Sequence, residues 1–234
     1  MSNLASAHAS ETTAFGARIH RQSVGQQAYS AILSSLKRSK LKPGQKLIAR
    51  QVANDLGISV TPVRESLLRL VSENALIMDD RGTVMVPELS LERCKEIRGL
   101  RIMLEGEAAA RAAERASEAD IEQLEEIHRT YLATETDSAF EQALVENENF
   151  HFSLCRLAAA PVLFGLVENL WIQFGPVLSF LYSNGERPFH EDTHAHIKLI
   201  EALRNRNAED ARAAIARDIM IGGQAIIERL EHGA

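Results

Sequence analysis

The sequence predicts a mainly α-helical fold: an amino-terminal winged helix-turn-helix followed by an antiparallel six-helix bundle. Three observations predict it. A glycine at position 57 separates two short amphipathic segments, and two strand-like runs flank an Asp-Asp-Arg-Gly turn at residues 79–82. From Ser90 onward the apolar periodicity is helical nearly throughout, with no strand pattern after residue 87.

The first 22 residues are rich in Ala, Ser and Thr without a continuous apolar core, so they read as a flexible tail rather than a signal peptide. Val24 to Ser39 is amphipathic, with Tyr29, Ile32, Leu33 and Leu36 on one stripe, and Leu41-Lys42-Pro43-Gly44 ends it. Ile48 to Leu56 forms a second short helix, which Gly57 can end by taking a positive φ. Thr61 is a natural N-cap and Pro62 suits the first helical position, where a missing N–H costs nothing, so a third helix is expected to start there. Val63, Leu67 and Leu70 recur at helical spacing and face inward. Ser59, Thr61 and Arg64 are left around an amino-terminal end whose orphan N–H groups and dipole favour phosphate. That is the pattern of a helix-turn-helix with its recognition helix, and Leu76 to Met78 with Thr83 to Val86 supply the hairpin wing. Three helices and a hairpin thus fill residues 23–87; the alternative is an all-helical packing module with a surface hairpin.

Residues 88–234 read as a second, helical domain with helices at about 90–116, 118–134, 137–159, 161–182, 190–205 and 208–231. Breaks fall at Ala160-Pro161, Asn184 to Pro188 and Asn205-Arg206-Asn207, all turn or helix-stop chemistries. Many alanines and only 5% aromatic residues let such helices approach closely.

Charge separates the two parts. Residues 1–87 hold 11 Lys and Arg against 6 Asp and Glu, a net +5, whereas residues 88–234 hold 15 against 26, a net −11, giving the overall −6. A basic amino-terminal third joined to an acidic remainder is the arrangement expected of a DNA reader with a separate control domain. No apolar stretch approaches the ~20 residues needed to span a bilayer, and Val162 to Trp171 is interrupted by Glu168 and Asn169. Cys94 and Cys155 make no disulfide framework and suit a reducing compartment, so the expected location is the cytoplasm, away from membranes.

The helical domain carries polar residues on apolar stripes. Asn147 and His151 are four apart, on one face with Leu144, Leu154 and Ala158. His196 shares a face with Leu199, Ile200 and Leu203, and Asp218 with Ala211, Ala214, Ile215 and Ile221. A buried carboxylate is costly unless paired or bound to a cation. The turn near Arg206 lies about ten residues after His196 and about twelve before Asp218; at ~1.5 Å per residue, antiparallel helices place both at nearly the same depth. If the helix bearing Asn147 and His151 packs alongside, two imidazoles, a carboxylate and an amide oxygen converge. That set suits zinc, nickel or manganese; the alternative is a hydrogen-bonded network that rigidifies the bundle. Arg101, on the face of Cys94, Ile97, Leu104 and Ala108, calls for an anion, either a ligand carboxylate or Glu105 four residues on. Cys155 reads as a small packing residue, with a soft metal ligand as the alternative, and Trp171 and Phe174 as core or dimer contacts, with ligand stacking as theirs. His8, His20, His128, His190, His194 and His232 read as surface or terminal residues, with an approach to the pocket mouth as the alternative for His194.

The phrases LKPGQKL, VANDLGISVTPVRESLLRL and RGTVMVPELS resemble the winged helix of the GntR family of bacterial regulators, in the branch named for FadR. LRIMLEGEAAARAAE, ENENFHFSL and HIKLIEALRNRNAEDARAAI resemble that branch's helical ligand-binding domain, the FCD domain. The resemblance spans about residues 23–231, and six helices rather than seven bring it closer to the vanillate-regulator subgroup. It implies DNA contacts at Arg50, Ser59, Thr61, Arg64 and the wing glycine Gly82. Many relatives carry an arginine that reads guanine between the serine and threonine; this chain has Val60, which offers no donor and touches at most a thymine methyl. It also implies a metal site on Asn147, His151, His196 and Asp218, with Asp218 in place of the last family histidine. Relatives bind small organic acids near the metal, which makes Arg101 a candidate effector contact.

The expected function is that of a transcription regulator, a repressor of double-stranded operator DNA acting as a homodimer on adjacent half-sites and controlled by a small carboxylate effector. Two rivals stand beside it: a metal-dependent enzyme acting on a small organic acid, for which no general base or second-metal ligand set is apparent, and a free-standing metal sensor.

Overall fold

The computed structural model describes residues 24–134, 140–182 and 195–231. The expected tail at 1–22, the break at 184–188, the start of the fifth bundle helix at 190, and His8, His20, His190, His194 and His232 lie outside the described residues. The amino-terminal unit comprises α1 (Val24–Lys37), α2 (Ala49–Leu56), α3 (Val60–Ser72), β1 (Ile77–Met78) and β2 (Val84–Met85). The bundle comprises α4 (Leu91–Arg115), α5 (Glu118–Thr134), α6 (Phe140–Leu157), α7 (Pro161–Phe174), a 3₁₀ segment (Gly175–Tyr182), α8 (Ala195–Arg204) and α9 (Ala208–Glu231). The mainly helical fold class is the one the sequence predicts.

Gly57 ends α2 with φ 67°, and its N–H closes onto the carbonyls of the last turn. The third helix starts earlier than its expected cap: Ser59, in extended conformation, is the N-cap, and Pro62 is the third helical residue rather than the first. Proline is tolerated there because none of the first four helical N–H groups has an intrahelical acceptor. The hairpin is antiparallel, pairing Ile77 with Met85 and Met78 with Val84. Asp79 builds its turn, with Oδ1 accepting from the N–H groups of Arg81 at 3.0 Å and Thr83 at 2.7 Å, while Gly82 takes φ 78°. Ile32, Leu36, Ala53, Val63, Leu67, Leu70 and Val86 form the core beneath.

In the bundle, α4 and α9 form the most extensive pairing. Ala109, Ala112 and Ala113 of α4 and Ala211 and Ile215 of α9 are fully buried, so small side chains let the two backbones come close. The expected single helix over 161–182 is instead α-helical only to Phe174 and then 3₁₀. Pro176 explains the change, since it has no N–H to donate to the carbonyl of Ile172 and its ring would clash in a continuing α-helix. The stretch Pro161–Leu178 has a mean hydropathy of 1.2 and is long and apolar enough to cross a membrane, contrary to the reading of that region from sequence. Here it packs against α1, α4 and α6.

That same helix seats the amino-terminal unit. Ile172 belongs to the winged-helix core, and Asn169 Nδ2 donates to the carbonyl of Glu73 at 3.1 Å. Lys37 pairs with Glu148 of α6 at 2.5 Å and lies 4.8 Å from the centroid of the Phe152 ring. The Ser39 hydroxyl donates to the carbonyl of Gly175.

Candidate metal centre and DNA-binding face

Three helices bring polar residues of the bundle to one buried point. His151 comes from α6, His196 from α8 and Asp218 from α9, and one donor atom of each lies within 4.8 Å of the others. His151 Nε2 is 3.0 Å from Asp218 Oδ2, and His196 Nε2 is 3.4 Å from Asp218 Oδ1. Ligands held at ~2.0–2.1 Å from one tetrahedral or octahedral ion stand about 3–3.4 Å apart, so the two His–Asp separations match a metal site, while the set as a whole spans up to 4.8 Å. Asn147 lines the adjoining 30 Å³ cavity, about the room of one water, with Arg101, Tyr131, His151, Phe174, Leu178 and Asp218.

The residues behind the donors fix their direction. Glu105 of α4 is wholly buried, and its Oε2 takes His151 Nδ1 at 2.6 Å. With Nδ1–H committed to Glu105, a neutral His151 presents a lone pair toward Asp218, which two acceptors cannot share without a cation or a second proton between them. Asp218 Oδ1 is buried without a hydrogen bond among the described residues. Both facts fit a bound divalent ion. His128 of α5 stands behind His196, with Nδ1 3.3 Å from His196 Nδ1.

The electrostatics follow this geometry. Burial alone would lower the pKa of His151, but Glu105 on one side and Asp218 on the other outweigh it and raise it. Burial lowers His196 in spite of Asp218. Burial, then His196, lowers His128 to about 4. Against burial, the two imidazoles hold Asp218 well below the usual carboxylate range. Against burial, Arg101 first and His151 second hold Glu105 at about 2. Metal ligands must be deprotonated, and the downward shifts of His196 and Asp218 run in that direction, whereas that of His151 runs against it.

Arg101 forms the second of the two contacts offered for it. Its Nε donates to Glu105 Oε1 at 2.6 Å, the ion pair foreseen from their spacing, and the residue also lines the cavity. Its guanidinium lies 4.2 Å from the centroid of the Trp171 ring. Sequence reasoning missed three participants. His128 is 5% exposed rather than a surface residue, because it continues the buried stripe of Ile121, Leu124 and Tyr131 on α5. That stripe was the available signal. Glu105 was seen only as the partner of Arg101, and nothing local linked it to His151, 46 residues away. Trp171 Nε1 donates to Glu105 Oε1 at 3.1 Å; a buried indole N–H always needs an acceptor, but which one is a tertiary fact.

On the amino-terminal unit, Arg50, Ser59, Thr61, Arg64 and Gly82 are all exposed. Arg64 is the fifth residue of α3, and it lines a 410 Å³ cleft between recognition helix and wing together with Gly82, Leu68 and Met78. No ion pair engages Arg50 or Arg64 among the described residues.

A winged helix seated on a helical bundle with a buried polar pocket defines a one-chain DNA-binding regulator with a ligand-sensing domain. The chain belongs to the GntR family of bacterial regulatory proteins: that family's description matches residues 24–86, and the FCD domain matches residues 96–220. It is similar to the HTH-type transcriptional regulator McbR of Escherichia coli K12, with 34% identity over 80% of this chain and 85% of that protein. The solved structure of E. coli McbR/YncC superposes with a TM-score of 0.80 at 31% identity, covering 86% of this chain and 95% of that one. The HTH-type transcriptional repressor RspR of E. coli K12 is 26% identical over 85% of this chain and 86% of its own length. A GntR regulator from Rhodococcus sp. RHA1 shares the fold, with a TM-score of 0.70 at 17% identity, 88% of this chain and 98% of that one being covered. The protein is therefore a DNA-binding transcription regulator with an effector-binding domain, and not an enzyme.

Proposed function

We propose that the protein represses transcription as a cytoplasmic homodimer, reading operator DNA with residues 23–87 and sensing a small carboxylate through a divalent metal in residues 88–234. The observation that carries the reading is the joining, in one chain, of an exposed recognition-helix start at Ser59, Thr61 and Arg64 to a buried His151/His196/Asp218 cluster beside Arg101. Arg50, Ser59, Thr61, Arg64 and the Gly82 wing hold the duplex. His151, His196 and Asp218, with the amide oxygen of Asn147, hold the ion. Two imidazoles and a carboxylate accept zinc, nickel or manganese.

Arg101 spends its Nε on Glu105, and a guanidinium has two further nitrogens for an effector carboxylate whose other oxygen reaches the metal. Repression is favoured by the likeness to RspR, named as a repressor. Dimerisation is favoured by the small footprint of one winged helix on DNA.

Footprinting on DNA flanking the gene, repeated with a panel of small organic acids, tests this reading. A protected site with two half-sites, released by at least one acid, is expected. Arg64→Ala should weaken that binding by about 1–3 kcal/mol with unchanged thermal stability. No footprint, or unchanged affinity of Arg64→Ala at matched salt, would overturn the DNA assignment.

A further inference from the structure

We propose that Trp171 is a positioning residue that ties the metal pocket to the winged helix, so that filling the pocket changes how α1 sits on α7. The proposal rests on the metal-binding reading given above.

Trp171 is fully buried, and its indole N–H donates to Glu105 Oε1 at 3.1 Å. The other oxygen of that carboxylate takes His151 Nδ1 at 2.6 Å, and the far nitrogen of the same ring faces Asp218 at 3.0 Å. One carboxylate therefore links a metal-ligating imidazole to the indole. In a loaded site His151 Nε2 would be held by the ion, so the position of its ring would be set from that side as well as from Glu105. Glu105 follows, because a buried carboxylate has no water to replace the partner it would otherwise lose. The indole follows Glu105. The ring is also stacked under Arg101, which lines the cavity, so an anion drawing on Arg101 pulls the same side chain.

The other side of α7 has no slack. Ile172, the next residue, sits in the winged-helix core. One turn on from Trp171, Gly175 approaches α1 so closely that a Cβ there would stand 2.5 Å from the carbonyl oxygen of Leu36 and 2.7 Å from Lys37 Cα. Packed interiors pass such shifts on rather than absorb them. A displacement of α7 at the indole is thus delivered to α1, which packs against the recognition helix α3.

Hydrogen exchange of the full chain, with and without Zn²⁺ as the probe, tests this without an operator in hand. In the parent protein, zinc should change exchange of the α1 amides by ~threefold or more. Trp171 is the only tryptophan, so its emission should shift in the same titration. Trp171→Phe keeps a ring against Arg101 and His151 but removes the N–H. It should bind zinc within ~threefold of the parent, measured by competition with a chromophoric chelator, while α1 exchange no longer responds. An equal α1 response in Trp171→Phe, or none in a parent that has bound zinc, would overturn the relay alone. A parent that takes up no zinc overturns the metal reading and the relay with it. Should Trp171→Phe not fold, Gly175→Ala decides: it should loosen α1 without metal and abolish the further response, and a parent-like response to zinc would overturn the proposal.

Discussion

Replacing Glu105 by Gln removes one charge from the centre of the bundle and leaves the shape intact. The native carboxylate is 0% exposed and takes three donors: Arg101 Nε at 2.6 Å, His151 Nδ1 at 2.6 Å and Trp171 Nε1 at 3.1 Å. Burial pushes its pKa up, yet Arg101 and His151 bring it from the ordinary 4.5 to about 2. That displacement corresponds to about 3 kcal/mol. It agrees with the ~3–5 kcal/mol lost when one partner of a buried ion pair is removed. Glu105→Gln should therefore unfold about 3 kcal/mol more easily in urea at pH 7 with chelator present. The pH dependence has a definite sign. A carboxyl whose folded pKa is lowered contributes its full stabilisation above the unfolded value of about 4.5 and loses it as pH falls toward about 2. The gap between parent and variant should shrink across that window. Equal stability at pH 7, or a gap that stays constant from about pH 5 to about pH 2.5, would refute the argument that the charge, rather than packing, makes the contribution.

Chelation should lower the melting temperature of the metal-loaded protein, and Asp218→Ala should abolish that sensitivity because two imidazoles and a neutral amide oxygen hold an ion weakly; chelator sensitivity surviving in Asp218→Ala would remove it from the ligand set. Val60→Arg places a guanidinium at the first residue of α3 and should shift preference toward half-sites bearing guanine by about 1–3 kcal/mol per contacted base, read by competition between operator variants; unchanged preference would remove Val60 from the specificity determinants.

The elements were legible because helical periodicity is a local property. The stripe of Val63, Leu67 and Leu70 placed α3, and the breaks at Pro161 and Asn205 to Asn207 placed the bundle turns. Depth was legible as well: counting residues from the Arg206 turn put His196 and Asp218 level, and the structure brings them to 3.4 Å. What lay beyond reach was the identity of partners across helices. Glu105 and His151 are 46 residues apart, His128 and His196 are 68 apart, and no repeat or spacing rule joins them. The early start of α3 was hidden because Ser59 and Thr61 are both good caps, and Pro62 fits any position of a first turn. The 3₁₀ segment was visible in principle at Pro176, but apolar residues on both sides masked it.

The insertion of Ile172 into the amino-terminal core means that the DNA reader is not a detachable module. Cutting the chain in the linker at Pro87 to Leu89 would strip that core of a side chain supplied from a helix 85 residues downstream of Pro87, uncovering Leu36 and its neighbours to water. A chimera that grafts a foreign winged helix onto this bundle inherits the same demand. Its first helix must offer a hollow for Ile172 and bare backbone for Gly175, so compatibility between halves is decided on α7, far from both DNA and ligand. Family members that differ at this seam should exchange their halves poorly even where their operators and effectors are alike.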